Sequence, residues 1–215
     1  MSKYLVFSHG FGVEKDSKGL FSEISKAFPG YKPVLFDYND IAEDKKITNV
    51  ASYNKQSIVL DRQLQAIVKR DPDANITVIG HSQGCIIIGL TSNLPIARAI
   101  LLAPPVNVSA RKTKIKPDRV INNDGSVTIN RKDGTQIILS LGFIVGLKKT
   151  NPLNIYKRLA SKVPITIVVA RQDELLDDSN FSKLGSTEVI KIDGDHNFTG
   201  KNRKGLIETL SKILN

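Results

Sequence analysis

The chain has 215 residues and one cysteine, with 40% hydrophobic and 24% charged residues, a composition typical of a single globular domain without disulfides. Its apolar runs are far shorter than the roughly 20 residues needed to cross a bilayer, and the four that follow Lys3 are too few for a secretory signal, so we expect a cytoplasmic protein. The 31 Lys and Arg against 21 Asp and Glu give a formal charge of +10, which favours acidic partners but does not distinguish anionic substrates, anionic surfaces and nucleic acid.

Short apolar runs alternate with helical patterns along most of the chain. The runs predicted as buried strands cover residues 3–8, 33–38, 76–79, 99–102, 163–170 and 188–192. Helices are predicted over residues 17–28, from an N-cap at Ser52 to a stop before Pro72, from residue 83 to about Leu90, and over 202–214. The alternation predicts an α/β fold, with a mainly parallel open sheet of about six strands and helices on both faces.

One stretch, within residues 106–155, departs from this alternation. It contains a basic run over 111–119 and two Asp-Gly pairs, at 124–125 and 133–134, which lie next to runs of alternating apolar and polar residues. Asp-Gly in that setting is a strong signal for a β-hairpin. We therefore predict one domain over 1–215, with an inserted β-rich cap that either decorates the fold or covers a site as a lid.

A pentapeptide, Gly-His-Ser-Gln-Gly at positions 80–84, fits the G-x-S-x-G pattern and lies where a β-branched strand meets an apolar helix. A tight turn there exposes the serine hydroxyl, and glycines are needed because strand and helix pack closely about it. The helix also directs its backbone N–H groups and the positive end of its dipole at this point. We predict Ser82 as a nucleophile, and Cys85 as a buried apolar residue.

A serine hydroxyl becomes a strong nucleophile only when a base takes its proton and a third group orients that base. Of the three histidines, His196 is the best candidate for the base, because it lies in a polar loop between the last strand and the last helix. Asp173 is the candidate that orients it, since it follows a predicted strand at the carboxyl edge, where parallel sheets gather their sites. The competing aspartates are Asp177, Asp178, Asp193 and Asp195.

Acyl transfer also needs hydrogen-bond donors for the negatively charged oxygen of its tetrahedral intermediate. The backbone amide of Gln83, directly after the serine, is one candidate. The second is the amide of Phe11 in His-Gly-Phe-Gly at positions 9–12, because the glycines let this loop approach the serine. No spacing of His and Cys residues suggests zinc, and we expect no cofactor.

These motifs resemble those of the α/β-hydrolase family. The resemblance is carried by the residues at 9–12 and 80–84, followed by an aspartate and a histidine in the family's chain order of Ser, Asp, His. It extends from Tyr4 to Leu214, and the insertion falls where such proteins commonly carry a cap. The roles that the resemblance implies are nucleophile for Ser82, orienting acid for Asp173, base for His196, and oxyanion-hole amides for Phe11 and Gln83.

The first functional hypothesis is a serine hydrolase, a carboxylesterase-like enzyme that cleaves a small carboxylic ester or thioester through an acyl-enzyme intermediate. The positive charge favours an anionic substrate. The alternatives are a peptidase or amidase with the same triad, and a non-catalytic hydrolase-like protein that binds an acidic ligand through its basic insertion. Nucleic acid is disfavoured as a partner, because the basic run over 111–119 has no interleaved aromatic residues.

Overall fold

A computed structural model describes residues 1–42, 44, 46–107, 118–176, 181–185 and 187–214 of the chain. The strands are β1 (Lys3–Ser8), β2 (Lys32–Leu35), β3 (Asp40–Ile41), β4 (Ile47–Val50), β5 (Asn75–His81), β6 (Arg98–Leu102), β7 (Arg119–Ile121), β8 (Val127–Asn130), β9 (Gln136–Leu139), β10 (Ile165–Ala170) and β11 (Glu188–Ile192). The helices are α1 (Leu20–Ala27), α2 (Tyr53–Arg70), α3 (Gln83–Leu90), α4 (Leu141–Lys149), α5 (Pro152–Ala160) and α6 (Asn202–Leu214), with a 3₁₀ helix at Phe181–Leu184.

The main sheet has six strands in the order β11-β10-β6-β5-β1-β2, and every neighbouring pair is parallel. All six strands predicted from the apolar runs lie in it, so the predicted α/β fold with a parallel sheet is confirmed. Strands covered on both faces are apolar nearly throughout. In β1, for example, Leu5, Val6 and Phe7 are all fully buried.

Helices cover both faces of the main sheet, and alternate residues of each strand enter separate cores. Val6 packs with Leu64 of α2 and with residues of α3 and α5, whereas Phe7 packs with Phe21 of α1 and Leu206 of α6. This alternation follows from the two-residue period of a strand. Within the described ranges, no helix is long and apolar enough to cross a membrane.

Helix α2 begins where the sequence predicts, whereas α1 begins later than predicted. The Oγ of Ser52 accepts a hydrogen bond from the amide of Lys55 at 3.3 Å, so the predicted N-cap of α2 is confirmed. The prediction for α1 began too early. Ser17, Lys18 and Gly19 have φ values of 46°, 59° and 87°, which right-handed helical residues do not adopt, so the helix begins only at Leu20.

A second sheet, with the order β3-β4-β9-β8-β7, contains the predicted hairpins. The turns at 124–125 and 133–134 join β7 to β8 and β8 to β9 as antiparallel pairs. Gly125 and Gly134 lie in the left-handed region, with φ of 77° and 82°. Strands β3 and β4 were not predicted, because both are short and β4 forms by pairing in parallel with β9, far along the chain.

The β-rich prediction for residues 106–155 is incomplete, because the described part of this stretch also holds α4 and the start of α5. Ser140 ends the strand pattern and caps α4, its Oγ accepting from the amide of Phe143 at 3.1 Å. Asn151 caps α5, which begins at a proline in its first turn and packs against α3 of the main layer. Most of the basic run, residues 111–117, lies outside the described residues.

Candidate active site

Ser82 occupies the sharp turn between β5 and α3. Its φ of 52° and ψ of −120° are strained for a residue with a side chain, and its amide donates to the carbonyl of Leu102 at 2.9 Å. A Cβ added at Gly84 would lie 1.9 Å from the carbonyl oxygen of Ser8, and one at Gly80 would lie 2.7 Å from Cδ1 of Ile88. The glycines are therefore required sterically, as the motif predicts.

Three polar side chains from distant parts of the chain meet at this turn. Nε2 of His196 lies 3.0 Å from Oγ of Ser82, and Nδ1 of His196 lies 2.8 Å from Oδ2 of Asp173. The side chains of His196 and Asp173 are only 6% and 5% exposed, so water screens their pairing weakly. When Nδ1–H donates to the carboxylate, Nε2 is left to accept from the serine hydroxyl.

The second oxygen of Asp173 is also held. Its Oδ1 accepts from the amides of Leu175 at 2.8 Å and Leu176 at 3.0 Å. Burial raises the pKa of Asp173, but the hydrogen bonds from His196 and from these two amides outweigh burial and lower the pKa below its ordinary value of 3.8. Asp173 is therefore an ionised carboxylate at neutral pH, oriented toward the imidazole.

The competing aspartates have other partners or lie outside the description. Asp193 pairs with Arg171 at 3.6 Å, and Asp195 accepts from both the amide and the hydroxyl of Thr199 at 2.6 Å. Asp177 and Asp178 fall outside the described residues. Of the three aspartates that the structure describes, Asp173, Asp193 and Asp195, it is Asp173 that hydrogen-bonds the ring of His196.

The Gly-rich loop (residues 9–12) lies against the serine turn. A Cβ added at Gly10 would be 3.6 Å from Cβ of Ser82. The buried ring of His9 shapes the loop, since its Nε2 accepts from the amide of Tyr38 at 3.0 Å and its Nδ1–H donates to the carbonyl of Gly10 at 2.9 Å. Burial lowers the pKa of His9, which favours this neutral, two-way bonded form. That carbonyl belongs to the same peptide unit as the amide of Phe11.

Gln83, the other predicted oxyanion donor, is the first residue of α3, so its amide has no carbonyl one turn earlier in the helix. Its side chain is buried, and Nε2 donates to Oε1 of Gln56 at 2.8 Å. Gln56 in turn donates to the carbonyl of Ala51 at 2.6 Å. Gln56 was not predicted as a site residue. In the sequence it is marked only as a polar residue beside the apolar stripe of α2. The oxyanion role of Phe11 and Gln83 stays a prediction.

His81, the residue before Ser82, contacts the backbone of His196. Its Nε2–H donates to the backbone carbonyl of His196 at 2.9 Å, while its Nδ1 has no hydrogen-bond partner in the described part of the chain. Burial, with a smaller contribution from the neighbouring His196, lowers the pKa of His81 to about 4. The ring is therefore neutral near pH 7 and donates to the histidine loop, which is the segment 193–201 between β11 and α6.

Arg203 holds the segment that follows His196. This arginine is only 7% exposed and donates to the carbonyls of Phe198 at 3.0 Å, Asn197 at 3.3 Å and Gly19 at 3.2 Å. It also pairs with Glu23 of α1 at 3.0 Å. The sequence reading missed this residue, because an arginine in the first turn of an amphipathic helix looks like part of its solvent-facing side.

Within the described ranges, no group of three or more His, Cys, Asp or Glu is arranged to hold a metal ion. Cys85 is buried in α3, and burial raises the pKa of its thiol well above the ordinary value. A thiol in that environment is a weak nucleophile because little of it is ionised. The hydroxyl of Ser82 and the imidazole of His196, 3.0 Å apart, are the candidate nucleophile and base of this arrangement.

No protein-family model and no curated protein matches the chain. Solved structures do. Est1E from Butyrivibrio proteoclasticus with bound ferulic acid has a TM-score of 0.72 at 16% identity, over 99% of this chain and 88% of that one. The esterase domain of a Rhodothermus marinus protein has a TM-score of 0.68 at 17% identity, over 97% and 85%. An α/β serine hydrolase homologue from Coxiella burnetii has 0.63 at 16% identity, over 100% and 86%. This chain has the α/β-hydrolase fold.

Proposed function

We propose that the protein is a serine hydrolase that cleaves a carboxylic ester or thioester through an acyl-enzyme on Ser82. The observation that carries the proposal is the hydrogen-bonded series from Ser82 Oγ to His196 Nε2 at 3.0 Å and from His196 Nδ1 to Asp173 Oδ2 at 2.8 Å. Nucleophile, base and orienting carboxylate lie in the order that serine acyl transfer requires.

In the first half of the reaction, Oγ of Ser82 attacks the carbonyl carbon while its proton moves to Nε2 of His196. The ionised Asp173 stabilises the imidazolium that forms, because it already accepts the hydrogen bond from Nδ1. The amides of Gln83 and Phe11 donate to the carbonyl oxygen as it becomes negative. Collapse of the tetrahedral intermediate then forms the acyl-serine, and His196 gives its proton to the departing alcohol or thiol.

In the second half, the same groups act on water. His196 Nε2 takes a proton from a water molecule, and the resulting hydroxide attacks the acyl-serine carbonyl. The second tetrahedral intermediate uses the same two amides, and its collapse releases the carboxylic acid and returns the proton to Ser82. The neutral His81 and the buried Arg203 hold the histidine loop throughout, through the carbonyls of His196, Asn197 and Phe198.

The structural neighbours support ester hydrolysis as the reaction class, since one of those described above is called an esterase domain and another an α/β serine hydrolase homologue. The substrate of this chain is proposed only as a small ester or thioester. Its formal charge of +10 favours substrates that carry negative charge.

The first test removes the nucleophile and the base in turn. We expect Ser82→Ala and His196→Ala each to lower kcat/KM for a short activated ester by about 10³- to 10⁶-fold. Ser57→Ala is the control serine substitution, because the buried Ser57 donates its hydroxyl to the carbonyl of Asn54 within α2. Circular dichroism would verify that each variant is folded. Ester turnover in Ser82→Ala equal to the wild-type value would contradict the proposal.

A fluorophosphonate probe gives a second measurement that needs no knowledge of the substrate. We expect it to modify Ser82 covalently in the wild-type protein, located by peptide mass spectrometry, and to leave Ser82→Ala unmodified. Matched ester, thioester and amide substrates would then identify the bond cleaved. Faster turnover of the amide would replace the esterase assignment by an amidase one.

A further inference from the structure

Elements of the second sheet and α4 contact the Gly-rich loop (residues 9–12) at two consecutive residues. Nη2 of Arg131, in the turn between β8 and β9, donates to the carbonyl of Gly12 at 2.8 Å. Ile137 of β9 packs against the same glycine so closely that an added Cβ would lie 2.6 Å from its Cδ1. The ring of Phe143, in α4, stacks on the ring of Phe11 with centroids 5.7 Å apart.

These contacts come from parts of the second sheet and α4 that are themselves anchored. Ile137 and Phe143 are each only 2% exposed, and the ring of Phe143 meets the edge of Tyr53 in α2 at 5.0 Å. Strand β9 also pairs in parallel with β4, which leads directly into α2. Movement of this layer away from the loop would expose both apolar side chains to water, which the hydrophobic effect disfavours.

The loop needs such restraint because glycines flank Phe11 on both sides. Gly12 has a φ of 60°, and glycine has access to many other conformations at little cost. On one side, His9 holds the carbonyl of Gly10, which shares a peptide unit with the Phe11 amide. On the other side, Arg131 holds the carbonyl of Gly12. The Phe11 amide thus lies between two fixed carbonyls.

We propose that the second sheet and α4 act as a fixed brace for the Gly-rich loop, and that Arg131 is the positioning residue that keeps the Phe11 amide aimed at the oxyanion. The inference rests on the proposed function, in which that amide is an oxyanion donor. The inference gives the β8–β9 turn, β9 and α4 a role in catalysis, and this role is that of a fixed support and not of a mobile lid. The Phe11 amide donates most strongly to the oxygen when it becomes negative in the transition state. A brace that positions this amide therefore affects kcat more than KM.

The experiment compares Arg131→Met with Arg131→Lys and with Lys132→Met, which removes a positive charge from the neighbouring position in the same turn. We expect Arg131→Met to lower kcat about tenfold, with KM within about twofold. The loss is smaller than the roughly 10²- to 10³-fold that follows removal of an oxyanion donor, because the Phe11 amide is displaced and not removed. Inhibition by a trifluoromethyl ketone, whose hemiketal oxygen mimics the oxyanion, should weaken by the same factor as kcat. Arg131→Lys should recover part of the loss, and Lys132→Met should behave as wild type.

Hydrogen exchange of the peptide that contains residues 9–12 supplies a readout that does not depend on activity. We expect faster exchange in Arg131→Met than in wild type and Lys132→Met, at equal global stability. Unchanged exchange, or a loss of kcat equal in Arg131→Met and Lys132→Met, would overturn the brace. The proposed function can fail separately. If the wild-type protein shows no Ser82-dependent ester turnover but Arg131→Met still exchanges faster, the brace is supported and the proposed function is rejected.

Discussion

At the scale of single residues, Ser82 combines a costly backbone conformation with a hydroxyl that lies 3.0 Å from Nε2 of His196. A residue with φ of 52° and ψ of −120° costs on the order of 1–3 kcal/mol, so its surroundings must hold it there. Two backbone hydrogen bonds hold Ser82 in this conformation. The amide of Ser82 donates to the carbonyl of Leu102, and the carbonyl of Ser82 accepts from the amide of Cys85. The result is a hydroxyl directed at His196, as the motif predicts.

His81 offers a pH-dependent measure of how the histidine loop is built. Burial lowers its pKa from 6.5 to about 4, so between these pH values the unfolded chain binds a proton at this site that the folded chain does not. Falling pH therefore lowers the free energy of unfolding across this window, by up to about 3 kcal/mol. His81→Gln keeps a donor for the carbonyl of His196 without titrating, and we expect its stability to depend less on pH from 6.5 to 4. Urea unfolding at a series of pH values measures this.

Other titrating groups do not obscure that comparison. His9 also has a lowered pKa, but it is present in both proteins and its contribution cancels. The lowered pKa of Asp173 means that its stabilising contribution is present above 3.8 and is lost only as pH falls below that value, outside the window. Parallel stability curves for wild type and His81→Gln would show that His81 is not a buried neutral group.

At the scale of secondary-structure elements, the fit between α3 and β1 decides whether the serine turn can form. Gly84 lies so close to the carbonyl of Ser8 that a Cβ there would be 1.9 Å from its oxygen, and neither backbone can yield cheaply. In addition, the hydroxyl of Ser8 donates to the carbonyl of Gly84 at 2.8 Å and accepts from the hydroxyl of Tyr38 at 2.7 Å. The two elements are therefore joined by contact and by hydrogen bonds.

We expect Gly84→Ala to lower the free energy of unfolding by about 3 kcal/mol or more, because the added methyl overlaps main-chain atoms. Gly205→Ala in α6 is the control, since nothing lies within 4 Å of an added Cβ there. It should raise stability by about 0.5–1 kcal/mol through helix propensity. Thermal and urea unfolding measure both. Equal stability of Gly84→Ala and wild type would contradict the steric account.

Element prediction succeeded where the signal was local. The cap of α2 at Ser52 and the Asp-Gly turns of the second sheet depend on residues a few positions apart, and all three formed as predicted. Strand β4 and helix α4 were missed, because β4 is defined by pairing with β9 and α4 by an apolar run without clear amphipathic spacing.

At the scale of the whole molecule, the parallel main sheet explains why distant residues meet. Because the carboxyl ends of its strands lie along one edge, the residues after β5, β10 and β11 gather there, and these carry Ser82, Asp173 and His196. The second sheet lies against the same region through the Gly-rich loop (residues 9–12). One edge of the molecule thus holds all the groups that the proposed reaction uses.

The overall charge of +10 gives a prediction for substrate preference. We expect kcat/KM for an ester with a carboxylate on its acyl chain to fall several-fold between about 20 mM and about 500 mM salt, as screening shortens the range of attraction. A neutral ester with the same leaving group is the control and should change little. The same salt dependence for both esters would show that the charge does not act on the substrate.

The amino-acid sequence by itself determined the six-strand pattern, the serine turn and the chain order of Ser82, Asp173 and His196, because apolar runs and glycine spacing act over a few neighbouring positions. It left Asp173 in competition with four other aspartates as the partner of His196. Only folding brings Asp173 into contact with that histidine, which lies 23 residues further along the chain. The tertiary structure alone decided the hydrogen bond of Arg203 to Gly19, 184 residues away, and that of Arg131 to Gly12, 119 residues away. Such pairs depend on how two layers pack, and no local pattern in the chain encodes that packing.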